Sequence, residues 1–86
     1  MNMHFTNPHC VHREYRISAA VVEHPGIPTP WAAGCLITTP EGQTTKRILL
    51  PLQYEFLAEQ DSAERASLAH GKWLVDQHLD HGREFS

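Results

Sequence analysis

Eighty-six residues supply one hydrophobic core and no second lobe. With 41% apolar and 20% charged residues, the chain is neither disordered by composition nor built for a membrane, and no apolar run approaches the ~18 residues of a span. A net charge of −3 excludes a strongly basic nucleic-acid coat.

The start, Met1 to Pro8, has neither a basic region nor an apolar stretch, so a cytoplasmic location is expected. Two cysteines cannot make a disulfide scaffold and would stay reduced there. Residues 1–14 read as a flexible tail, because they hold three histidines, one proline and no periodic apolar pattern.

Order is expected from Tyr15. Residues 15–22 alternate, with Tyr15, Ile17, Ala19 and Val21 on one face and Arg16 and Ser18 on the other, as in a half-buried strand. His24 to Pro30 ends it, since three prolines in seven residues cannot continue a ladder. Pro25-Gly26 fits the centre of a type II turn. A second strand follows over 31–38, with Trp31, Ala33, Cys35 and Ile37 sharing a face. Thr39-Pro40-Glu41-Gly42 is a turn, and a third strand is expected over 44–52, with Ile48, Leu50 and Leu52 on one face. Pro51 has no N–H to give a ladder, which places the strand's second half on an edge or a bulge.

Residues 54–60 read equally as an extended connection or a first helical turn. Asp61 then suits a helix N-cap, with Glu64 completing a capping box. The helix should run to about His81, with Gly82 closing it. Ala63, Ser67, Leu68, Gly71, Leu74, Val75 and Leu79 fall in one wide arc and form its expected core face. Ser67 and Gly71 are small enough to bring the helix close to the sheet. Residues 15–82 are therefore expected to form one α+β domain, a three-stranded antiparallel meander with one C-terminal helix on its face (β-β-β-α), followed by a short end at 83–86.

Two features bear on function. Trp73 falls near the polar side of the helix, with Ala66, Ala69 and Gln77 around it. Either it packs under the tail or the sheet's end, or it is an exposed aromatic anchor for a partner. The second sheet face would carry Ala20, Val22, Ala32, Leu36 and Leu49, which is too apolar to stand in water uncovered. The tail or a second copy of the chain would cover it, which makes a homodimer the first partner to consider.

Chemistry-bearing clusters are few. His4, His9, Cys10 and His12 offer four donors within nine residues, but the spacing matches no standard metal motif, and adjacent His9-Cys10 would crowd one ion. His78 and His81 suit the negative end of the helix dipole. Cys35, mid-strand, reads as a buried inert thiol. The pairs Glu55/Glu59 and Asp76/Asp80 read as solvated i, i+4 carboxylates. No phosphate loop and no nucleophile elbow occurs, so no enzyme and no cofactor are expected.

The element order over 15–82 resembles the double-stranded-RNA-binding domain without its first helix, and antitoxins of the HicB type. The resemblance implies nucleic-acid binding, for which Lys46-Arg47 is the one adjacent basic pair. The RNA-binding family, however, carries lysines where this chain has Asp61-Ser62-Ala63-Glu64-Arg65, and acids there repel phosphate. Residues 56–64 with 69–76 also look like a pattern in small uncharacterised bacterial domains, with Gly71-Lys72-Trp73-Leu74-Val75-Asp76 at its end. No biochemistry comes with it. The expectation is a non-catalytic protein-interaction module, with a nucleic-acid-binding domain as the alternative. The candidate partner surface is Trp73, Ala66, Ala69, Gln77, Leu36 and Val22, and the candidate nucleic-acid contacts are Lys46 and Arg47.

Overall fold

The computed structural model describes residues 8–85. It is a small α+β fold of antiparallel strands with a long C-terminal helix. The expected three-strand meander is replaced by seven short strands in two sheets. β1 (His9–His12), β2 (Tyr15–Ala19), β5 (Gly34–Thr38) and β6 (Ile48–Leu49) form the first sheet in the order β1-β2-β5-β6. β3 (Val22–Glu23), β4 (Trp31–Ala32) and β7 (Phe56–Leu57) form the second, in the order β3-β4-β7. A one-turn helix, α1 (Leu52–Glu55), precedes β7, and α2 (Gln60–His81) covers the sheets.

The two sheets share one hairpin. Ile17 pairs with Ile37 and Val22 with Ala32 in a single register. The ladder opens at Ala20 and Gly34. Ala20 N–H donates to the Gly34 carbonyl at 2.8 Å, but the reciprocal bond is not made. Gly34 N–H instead donates to Ser67 Oγ at 3.0 Å, and the Ala20 carbonyl accepts from Arg47 Nε at 2.7 Å. One ladder bond is thus shared out between a helix side chain on one face and an arginine on the other, which satisfies both buried groups.

Order does not begin at Tyr15. Residues 9–12 of the expected tail pair with β2, His9 opposite Ser18 and His12 opposite Tyr15. They extend the sheet at its edge. The turn between them is Arg13-Glu14, both at positive φ (53° and 72°). Neither is Gly or Asn, so this turn is unfavourable by itself. It is held from outside: Arg13 reaches Asp76 and Asp80 of α2, each at 3.0 Å, and His12 Nε2 lies 2.9 Å from Asp76.

The expected third strand is broken. Thr44 makes only an isolated bridge to Thr38, and ladder pairing resumes at Ile48–Leu49. Pro51 then starts α1, its carbonyl accepting from Tyr54 N–H at 2.8 Å. Leu52, expected beside Ile48 and Leu50, is 79% exposed because the helical turn rotates it outward.

α2 begins at Gln60, with Glu59 at its N-cap and no side-chain cap bond. The expected Asp61–Glu64 capping box is absent. Ala63 N–H already bonds the Glu59 carbonyl, which leaves Asp61 inside the first turn, 3.4 Å from Arg65. Gly82 closes the helix at φ 67°, with its N–H on the His78 carbonyl. Ala63, Ser67, Gly71 and Val75 are buried. A Cβ on Gly71 would land on Ile17 Cγ2, so glycine sets the closest approach of helix to sheet. Leu79, expected in the core arc, is 41% exposed, because the last turn runs alongside the Arg13-Glu14 turn and past the sheet. The core divides in two: Ile17, Cys35, Ile37 and Val75 under one half of α2, and Ala33, Leu50 and Ala63 under the other.

Candidate functional site

Pro51 ends the strand and turns the chain into α1, which brings Tyr54 to the same hollow as one face of α2. This hollow, of about 350 Å³, is lined by Leu50, Pro51, Tyr54, Ala66, Ala69, His70 and Trp73. Leu50 is 6% exposed and forms the floor. Tyr54 and Trp73, 59% and 51% exposed, stand on opposite walls. The His70 ring stacks on Trp73 with centroids 5.7 Å apart and planes at 18°. Partial burial lowers the pKa of His70, so at neutral pH the imidazole is uncharged and the lining carries no formal charge. Ala66 and Ala69 keep the helix wall shallow. This is an aromatic-walled, largely apolar groove.

The candidate partner residues fall in two places. Trp73, Ala66 and Ala69 meet at this groove; Gln77 lies one turn further along α2 and does not line it. Leu36 and Val22 are on the opposite side of the sheet from α2, by parity with Ile37 and Ala33, which are buried toward the helix. Tyr54, Pro51 and Leu50 were not singled out from the sequence. The signal available was the ambiguous stretch after Pro51, where a proline followed by three residues suited to a turn sets an aromatic on a one-turn helix.

The candidate nucleic-acid pair is split. Arg47 turns its guanidinium inward, onto the carbonyls of Ala20 (2.7 Å), Ala32 (3.0 Å) and Ala33 (3.4 Å). Lys46 is exposed, beside a pocket of about 430 Å³ that Ile48, His78 and Phe85 also line. Both side chains border that pocket, but the Arg47 guanidinium is committed to backbone carbonyls, which leaves Lys46 as the exposed cation of the pair.

The remaining chemical candidates are dispersed. Strand parity separates Cys10 and His12 from His9, while His4 lies outside the described residues. Among the described residues no three His, Cys, Asp or Glu side chains come together as metal ligands. Burial pushes the Cys35 thiol up to about 11, against the opposing pull of Arg47, so it is no thiolate near neutrality. Glu55 and Glu59 are not an i, i+4 helical pair, since β7 separates α1 from α2. His78 stacks on Phe85 at 4.4 Å and lies with Nδ1 2.8 Å from the Arg83 carbonyl, closing the helix end. No helix is long and apolar enough to cross a membrane among the described residues.

Comparison with protein-family models, curated proteins and solved structures finds no match to this chain.

Proposed function

We propose that the protein is a non-catalytic protein-interaction module, and that a second copy of itself docks in the Trp73 groove. One observation carries this reading. A half-exposed tryptophan stands beside a hollow whose floor and walls are apolar, next to the two small residues Ala66 and Ala69. Knob and hole belong to one surface, which is what an isologous two-fold contact requires. Such an aromatic, desolvated on docking, commonly dominates an interface. The exposed charges nearest in sequence, Arg65 and Lys72 together with Asp61, include both signs, so a copy meets no uniform repulsion.

The test is molecular mass against concentration, by sedimentation equilibrium with reductant present. The wild type is expected to self-associate, and Trp73→Ala to weaken this at least ~tenfold while leaving the circular dichroism unchanged. A wild type that stays monomeric at every concentration sinks the reading.

A further inference from the structure

The face of the sheet away from α2 has a character of its own. Register places Val22, Ala32 and Phe56 in one cross-strand row and Ala20, Gly34 and Leu49 in the next, with His9, Ser18 and Leu36 and then Val11, Arg16 and Thr38 beyond. Val22, Leu49 and Phe56 are 43%, 50% and 39% exposed. Val11 extends the patch at the β1 edge, at 66%. β1 does not cover these rows, because it lies beside β2 in the plane of the sheet. Arg47 crosses the middle: a Cβ on Gly34 would meet its guanidinium at 2.7 Å.

The charge on this face has one sign. Arg16 is exposed and makes no ion pair among the described residues, and Arg47 is its other cation. No carboxylate of the described residues falls in these rows. Glu14 occupies the turn after β1, and Glu23 lies opposite Trp31 on the helix side. The acids of α2, which include Asp61, Asp76 and Asp80, are on the other side of the sheet.

We propose that this face is a second docking surface, distinct from the Trp73 groove, and that its occupant is an acidic amphipathic segment of another protein. The apolar rows receive the apolar side of such a segment, and its carboxylates meet Arg16. A second copy fits badly here. Face-to-face packing would desolvate Arg16 against a surface with no carboxylate to pair it, and an unpaired buried charge is costly. A nucleic acid fits no better, since a phosphate chain is held by several cations, whereas Arg16 is the one arginine on this face not already turned onto backbone carbonyls, and its neighbours there are apolar side chains with His9, Ser18 and Thr38.

The experiment titrates a fluorescein-labelled helical model peptide, leucine on one side and glutamate on the other, against the full chain by anisotropy. Binding is expected, several-fold weaker at high salt. Leu49→Asp and Arg16→Glu should each weaken it at least ~tenfold. Both positions are exposed, so the thermal midpoint serves as a check that the variants fold. Trp73→Ala should bind like the wild type. A peptide with lysine in place of glutamate should bind the wild type poorly and Arg16→Glu better. The proposal is overturned by absent binding, by equal binding of the two peptides, or by loss of binding in Trp73→Ala. Self-association abolished by Leu49→Asp would assign the face to a second copy, and retention of an RNA oligonucleotide lost in Arg16→Glu would assign it to nucleic acid; either result also overturns the proposal.

Discussion

The two sides of the hairpin 15–38 are sealed to different degrees. Toward α2, Ile17, Ala19, Ala33, Cys35 and Ile37 are all at most 1% exposed. Away from α2, Ala32 is buried too, but Val22 is nearly half exposed and Leu36 is only half-buried. The uncovered side carries Arg16, Ser18 and Thr38 among its apolar residues, and the helix seals the other through side chains it lacks. Gly71 and Ser67 let the α2 backbone come close enough to seal one side. The other side has only Arg47, which lies flat over Gly34 and bonds to backbone carbonyls. Close packing therefore depends on what the covering element leaves out, while a long polar side chain can cover backbone and leave neighbouring aliphatics bare.

The sharpest way to break the sealed side is Gly71→Val. Its Cβ would occupy the place of Ile17 Cγ2, and overpacking of this kind forces backbone shifts. We expect a loss of about 3 kcal/mol in urea unfolding, with the m-value unchanged if the fold persists. An effect below about 1 kcal/mol would mean that the helix is not held at this distance.

The next test compares the two sides at the opened ladder pair. Arg47→Ala leaves the Ala20 and Ala32 carbonyls without their charged donor, and should cost about 2 kcal/mol. Ser67→Ala leaves Gly34 N–H without an acceptor on the helix side, and should cost about 1 kcal/mol. In the double variant, Gly34 N–H and the Ala20 carbonyl become free together and can close the missing ladder bond on each other. The pair should then cost less than the sum of the singles, by roughly 0.5–1 kcal/mol in a double-mutant cycle. Strict additivity would show that the ladder is held open by the bend of the sheet itself.

These features differ in how far the sequence disclosed them. The period-2 pattern of residues 15–22 and 31–38 and the 3.6-residue pattern of α2 are set by burial of one face, so the hairpin and helix could be read directly, as could the Gly82 stop. β1 could not be read, because its turn has neither Gly nor Asn. Arg13-Glu14 takes positive φ where Arg13 reaches Asp76 and Asp80, more than sixty residues away. The third strand misled for a related reason. Its apolar alternation continues through Leu52, but Pro51 withholds one ladder bond, and the one-turn helix that follows turns Leu52 out to solvent. At the candidate site, Trp73 with Ala66 and Ala69 was visible as an oddity of the helical arc. The opposite wall, Tyr54 and Pro51, was not, because it depends on where that unpredicted turn lands. Arg47 read as half of a basic pair; nothing local announces an opened ladder pair between Ala20 and Gly34.

The mildest expected effect concerns how β1 is held. The hydrogen bond to His12, and next the one to Arg13, keep the Asp76 carboxyl below the usual carboxylate range; Arg13 does the same for Asp80. Both carboxylates are exposed to solvent, so the pairs are screened and their contribution is small. Its sign is fixed all the same. A carboxyl that titrates lower in the folded chain than in the unfolded one contributes fully above the unfolded pKa and is lost as pH falls through the folded value. Unfolding midpoints measured downward from neutral pH should therefore hold until the ordinary carboxylate range and decline below it. Asp76→Asn should flatten that decline and make the remaining stability less sensitive to salt. Amide exchange gives the local readout: in Asp76→Asn, Cys10 and His12 should lose protection, since both sit in β1 and the Arg13-Glu14 turn is no longer held, while Ile37 in β5 keeps its own. Equal loss at Cys10 and Ile37 would mean that β1 opens only with the whole sheet, and that its unfavourable turn is carried by the ladder to β2 and not by the helix.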